Sequence, residues 1–241
     1  MKYIITEDQL EIIKDNILKL PFSAFNNKWS LLQKFLKKRG YPPYILKGDL
    51  ELYNDDFYGP TSLGTLVSVE GGLYVYGKKL MSIGSLTSVD GDLSLAETSI
   101  TSIENLTSVG GNLTLRYSKV TSLEYLTSVG GDLYLTGSPI KSLGNLMSVG
   151  GDFSLLGTEL ESLGNLTSVG GILNSSGVPI KSLGNLTYVG RTLNLSKTQI
   201  TSFGNLKSVG SDLYLNQSSI SQIYSEEEIR EMIYVDGDIH L

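Results

Sequence analysis

The chain has 241 residues, 27 of them glycine and none cysteine, with one histidine, His240, and a formal net charge of −6. These numbers exclude disulfides and thiol catalysis, and they leave no set of cysteines or histidines for a transition-metal site. The charge is spread as +1 over residues 1–60, −2 over 61–220 and −5 over 221–241, which leaves no broad basic surface for nucleic acid.

The first 43 residues read as an N-terminal helical region. The opening MKYIITEDQLEIIKDN has neither the basic start nor the apolar stretch of a secretory signal. Thr6 and Gln9 have capping-box spacing, and Leu10, Ile13, Ile17 and Leu20 fall on one helical stripe. A second helix is expected from about Lys28 to Arg39, with Trp29, Leu32, Phe35 and Leu36 on one face, ended by Gly40 and Pro42-Pro43. Two readings of this region stand side by side. It is a cap folded over the first coil of the repeats, or a docking element in which Trp29, Lys34, Lys37, Lys38 and Arg39 meet another chain.

Residues 44–60 contain KGDLELYNDDF (47–57), which matches half of a twenty-residue repeat unit, and then a three-residue excess, Tyr58 to Pro60. From Thr61 the chain runs through eight units of twenty residues, 61–220, without an insertion. Position 2 is always Ser, position 6 Leu and position 9 Val; positions 3, 13 and 20 are always apolar, and position 15 is apolar except at Ser175. Positions 13 and 15 alternate, as Leu133 and Leu135 do in DLYLTG, which is the period of a strand with one buried face. Positions 3, 6 and 9 recur too closely for a strand and suit a turning, partly extended or 3₁₀-like return path. One such coil cannot shelter six apolar side chains, but stacked coils can. The fold class expected is a β-solenoid, a leucine-rich-repeat-like β-helix of eight coils with a small helical region at its N-terminal end.

Within each coil, Gly at positions 10 and 11, as in Gly130 and Gly131, is expected to supply positive φ at the corner entering the strand. The Asn column (Asn105, Asn145, Asn165, Asn185, Asn205) and the Ser column at position 2 are expected to satisfy backbone groups of the bends. Asp132 and Asp152 lie one coil apart; a turn-stabilising Asp column is the expectation, a shared cation the alternative. No cofactor or metal is expected. After the coils, Ser225 and Glu228 have capping-box spacing within SEEEIREM, predicting a short helix, and YVDGDIHL (234–241) matches coil positions 8–15. Residues 221–241 therefore read as a C-terminal cap with a partial coil.

The pattern L-x-x-L-x-x-V-x-G-x-L-x-L, seen in LGNLTSVGGDLYL, resembles the leucine-rich-repeat-like coils of receptor L domains. That resemblance implies a right-handed solenoid of stacked short coils, and it implies protein binding. The opening MKYIITEDQ is also similar to the start of many small phage-encoded proteins, which implies a viral accessory protein. No apolar run reaches the roughly 18 residues of a membrane span. A cytoplasmic location, in a host cell or a virion if the protein is viral, and no membrane partner are expected.

The residues that vary sit on the outward face of the strand. Position 14 reads Tyr74, Ser94, Thr114, Tyr134, Ser154, Asn174, Asn194, Tyr214 and His240; position 16 adds Tyr76, Arg116 and Leu156, with Tyr117 beside them. Tyr and Arg are favoured interface anchors. Tyr74, Tyr76, Arg116, Tyr117 and Tyr134 form the leading candidate patch, with Leu156 and Tyr214 further along the same face. The expected function is a non-enzymatic scaffold that binds a protein. A virion assembly component anchored by the N-terminal region, and a glycan-binding or polysaccharide-acting β-helix using acids such as Glu97, Glu159 and Glu161, are the alternatives. Partner identity and oligomeric state are not written in the chain.

Overall fold

A computed structural model describes residues 11–13, 17–53 and 61–241. It is a β-solenoid with two parallel sheets. Each coil lays one strand in the first sheet at positions 8–9 and one in the second at positions 13–14. β5 (Leu66–Glu70) and β6 (Leu73–Val75) open the series, followed by β7 (Ser88–Val89) and β8 (Leu93–Ser94). It continues to β19 (Ser208–Val209) and β20 (Leu213–Tyr214). Coil n pairs with coil n+1 at a register of twenty residues throughout, for example Val129 with Val149 and Leu133 with Phe153.

The sequence pattern explains this arrangement directly. Every apolar side chain at positions 3, 6, 9, 13, 15 and 20 is buried, none more than 5% exposed. Each fully buried aliphatic side chain contributes about 1.5–3 kcal/mol before chain entropy is counted, so the stack is held chiefly by these six columns. The expected return path resolves into a turn at positions 4–5 and the short strand at 8–9. In all eight coils the Ser at position 2 accepts a hydrogen bond from the N–H of position 4, at 2.9–3.2 Å. Asn105, Asn165 and Asn205 donate through Nδ2 to the position-4 carbonyl of the coil before. The Asp column also bridges coils: Asp132 Oδ1 accepts from the N–H of Asp152, and Asp152 Oδ1 from that of Ile172, each at 2.7 Å.

The glycines at positions 10 and 11 correct the expectation of positive φ. Gly130 and Gly131 do not have it. They are small because consecutive coils nearly touch there: a Cβ on Gly130 would lie 2.1 Å from the Gly110 carbonyl oxygen. Left-handed backbone occurs instead at position 17 of every coil, filled by Gly77, Gly137, Gly157 and Gly177 or by Glu97, Tyr117, Lys197 and Gln217, and at position 4 of seven coils, as at Gly64 and Gly144.

The N-terminal end departs from the helical stripe expected over Leu10 to Leu20. Thr6, Gln9 and Leu10 lie outside the described residues. The rest of the stripe is extended, as β1 (Glu11–Ile13) and β2 (Ile17–Pro21), which pair antiparallel. Leu18 and Leu20 are buried while Ile17, Lys19 and Pro21 are half-exposed, so strand alternation overrides the helical spacing of Ile13, Ile17 and Leu20. A 3₁₀ turn, Phe22–Phe25, leads to α1 (Trp29–Lys37), the second helix as expected. Leu32 and Leu36 bury their side chains in the core, and Gly40, at φ 74°, ends the helix with the N–H of Tyr41 bonded to the Leu36 carbonyl.

β2 extends the first sheet through β3 (Tyr44–Lys47), and β4 (Leu50–Leu52) starts the second, with Leu50 opposite Leu73 as the partial coil predicted. At the other end α2 (Glu226–Met232) has the predicted capping box between Ser225 and Glu228. β21 (Tyr234–Val235) and β22 (Ile239–His240) then complete a last turn in register. Among the described residues the sheets contain twelve and ten strands.

Candidate binding face

The outer face of the second sheet carries the variable residues, and the parallel register fixes their spacing. Coils are about 4.8 Å apart, so side chains at position 14 form a straight row. Tyr74, Tyr134 and Tyr214 stand in that row three and then four coils apart, with Ser94 and Thr114 in the first gap and Ser154, Asn174 and Asn194 in the second. The five-residue patch expected from sequence is therefore split. Tyr74 and Tyr76 belong to one end of the face, and Arg116, Tyr117 and Tyr134 to its middle, two to three coils or roughly 10–14 Å away at that spacing.

The middle group is organised. The Arg116 guanidinium lies over the Tyr134 ring, 4.2 Å from its centre, a cation–π contact worth about 0.5–1 kcal/mol at an exposed site. The Tyr134 hydroxyl donates to Asp132 Oδ2 at 2.7 Å. That hydrogen bond to a carboxylate, followed by partial burial, raises the phenol's pKa above its ordinary value. Tyr117 is 62% exposed, has left-handed backbone at φ 55°, and its ring lies over Gly137, where a Cβ would meet it at 2.5 Å. A glycine at position 17 of the next coil thus makes room for the tyrosine ring. Leu156 is half-buried two coils beyond Arg116, with Thr136 between them and hydrogen-bonded to Ser154 at 3.1 Å.

The N-terminal group contains a member not singled out from sequence. Tyr53 stacks on Tyr76 with ring centres 5.0 Å apart and planes 10° from parallel, and its hydroxyl donates to Glu51. The signal was available, because the Leu50–Leu73 alignment places Tyr53 at position 16, directly opposite Tyr76. Tyr74 reaches towards Asp92, and the pKa of its hydroxyl is raised first by burial and then by the nearby charges of Asp92 and Asp49. At the far end Tyr214 stacks on His240 at 4.2 Å.

The residues expected to dock from α1 divide into two sets. Trp29 packs against the core, as a capping residue does. Lys34, Lys37, Lys38 and Arg39 are exposed on the other side, with the Arg39 guanidinium 3.7 Å from the centre of the Phe35 ring.

Among the described residues no helix is long and apolar enough to cross a membrane, and no three His, Asp or Glu side chains converge as a metal site would require. No known protein family, curated protein or solved structure matches the chain.

Proposed function

We propose that this solenoid is a non-enzymatic scaffold that binds a protein partner on the outer face of its second sheet, centred on Arg116, Tyr117 and Tyr134. The observation that carries this reading is the Arg116–Tyr134 pair, held by the Asp132 hydrogen bond at the middle of the face. Its long, planar side chains are already fixed before a partner arrives, which lowers the entropy lost on binding. The neighbours in the row, Thr114 and Ser154, are short, so the anchors stand above their surroundings. Tyr117, 62% exposed, sits beside them with its ring over Gly137, which adds aromatic surface to the anchors.

The test is to capture a partner with the intact chain and compare Arg116→Ala, Tyr117→Ala and Tyr134→Ala with the parent. At least one should weaken binding by more than about 1 kcal/mol, as an interface anchor does. A Lys34→Glu/Lys37→Glu variant separates the α1 surface from the strand face. Truncating the first 40 residues cannot serve this purpose, since it would remove Phe22, Leu32 and Leu36 from the core. If the α1 variant loses the partner and the strand-face variants keep it, the face is wrongly assigned.

A further inference from the structure

The helix-bearing segments near the two ends of the solenoid carry opposite charge. Residues 28–39, which contain α1, hold Lys28, Lys34, Lys37, Lys38 and Arg39 and no acid, for +5. Residues 225–241, which contain α2, β21 and β22, hold Glu226, Glu227, Glu228, Glu231, Asp236 and Asp238 against Arg230, for −5. In α1 the buried side chains are Leu32 and Leu36, and Lys34, Lys37 and Lys38 are exposed on the side away from them. In α2 the buried residue is Ile229, and Glu227 and Glu231 are exposed.

The C-terminal end also has features of a surface that takes a neighbour. β21 and β22 are the outermost strands of the two sheets among the described residues. An outermost strand can offer N–H and C=O groups to a neighbour, and here Arg230 already takes the Val235 and Gly237 carbonyls. Among the described residues, four of the twelve exposed large apolar or aromatic side chains, Ile223, Met232, Tyr234 and Leu241, lie within this last turn.

From the charge complementarity of the ends we infer that the occupant is a second copy of this chain, whose basic α1 surface docks on the acidic α2–β22 end. Such a contact is heterologous, head to tail; with the two surfaces at opposite ends of the strand order, it extends along the stack rather than closing into a ring. It yields chains of copies whose length grows with concentration. A twenty-residue coil has a perimeter of at most roughly 66 Å at about 3.3 Å per residue. The end face is therefore small beside the roughly 800 Å² per partner of a standard interface, so the association is weak and charge governs it. Its axis leaves the outer face of the second sheet uncovered and repeats it along the assembly.

Sedimentation velocity on the full chain tests this at low and high salt over a range of concentrations. The parent should show mass rising with concentration at low salt and falling as salt is added. Lys34→Glu/Lys37→Glu/Lys38→Glu and Glu227→Lys/Glu231→Lys should each weaken association at least about tenfold, the scale of losing several complementary charges, while circular dichroism and melting show the fold intact. An equimolar mixture of the two variants should associate again, because each offers the complement of the other. A parent that stays monomeric at every concentration, association that survives both reversals, or a mixture that fails to recover would each overturn the proposal.

Discussion

Val178 donates its backbone N–H to the carbonyl of Ser175 at 3.0 Å, and together the two residues invert the chemistry of the same two places in other coils. In five coils a leucine fills position 15 and a hydroxyl stands three residues later: Thr98, Ser138, Thr158, Thr198 and Ser218 donate to the carbonyls of Leu95, Leu135, Leu155, Leu195 and Leu215. In the sixth coil the hydroxyl is at Ser175, which donates to the Asn194 carbonyl at 2.9 Å, and Val178 is fully buried. Valine and threonine are close in size, so the valine does not replace the volume missing at Ser175. Ser175→Leu is therefore expected to be tolerated or to raise stability by about 1 kcal/mol, less than the roughly 2–5 kcal/mol that removing a buried leucine costs. Urea denaturation measures it. A loss of several kcal/mol would show that the sixth coil has repacked around the serine.

Gly150 should resist substitution for a reason unrelated to φ. A Cβ there would lie 2.0 Å from the Gly130 carbonyl oxygen, and backbone cannot move aside without opening the stack. Gly150→Ala is expected to destabilise by about 3 kcal/mol, the upper range for overpacking. A change below about 0.5 kcal/mol, typical of a surface substitution, would contradict the close coil-to-coil approach.

Lys197 and Tyr117 share left-handed backbone, at φ 58° and 55°, but only Tyr117 lies at the candidate site. Glycine relieves a conformation that disfavours side chains by about 1–2 kcal/mol, and it gives back part of that gain through unfolded-chain entropy. Lys197→Gly and Tyr117→Gly should each stabilise by roughly 0.5–1 kcal/mol on this balance. Tyr117→Gly alone should also weaken partner binding. Equal binding by the two variants would make Tyr117 a bystander.

Tyr44 gives the fold a pH dependence. It takes the place of the position-6 leucine, opposite Leu66, and is 1% exposed. Its hydroxyl lacks a well-formed hydrogen bond, with Gln33 alone close enough to influence it, and burial raises its pKa above the ordinary 10.0. The unfolded chain therefore releases this proton first. Stability is unaffected below about pH 10 and falls above it, by up to about 1.36 kcal/mol per pH unit for one group until the folded-state value is reached. Tyr44→Phe should blunt that decline in denaturation curves taken across the alkaline range. An unchanged slope would place the alkaline sensitivity elsewhere.

The repeat was legible because its spacing states its own geometry. Leu133 and Leu135 can face one core only as a strand, and invariant Val129 has to pack beside them. Ser225 and Glu228 likewise marked their helix, since a capping box is local. What failed was non-local. Ile13, Ile17 and Leu20 fit a helical stripe, and only the pairing of Leu18 with Tyr44 and Leu20 with Leu46 shows that this segment joins a sheet. The glycine columns misled because the residue type has two uses, and closeness between coils cannot be told from positive φ without coordinates. At the candidate site the row of side chains came from the register, but the Arg116–Tyr134 contact and the gap between Tyr74 and Tyr134 needed the structure.

On the proposed function a partner is held by the second sheet's outer face rather than by exposed aromatic surface in general. Tyr188 is the matched reference, 45% exposed in a strand of the first sheet. The decisive measurement is the affinity of a captured partner for Tyr134→Ala and for Tyr188→Ala, each checked for an unchanged melting curve. A loss of at least about tenfold, or roughly 1.4 kcal/mol, is predicted for Tyr134→Ala, with parental affinity for Tyr188→Ala. Parental affinity for Tyr134→Ala with a loss for Tyr188→Ala would move the binding face to the other sheet and contradict the proposed function.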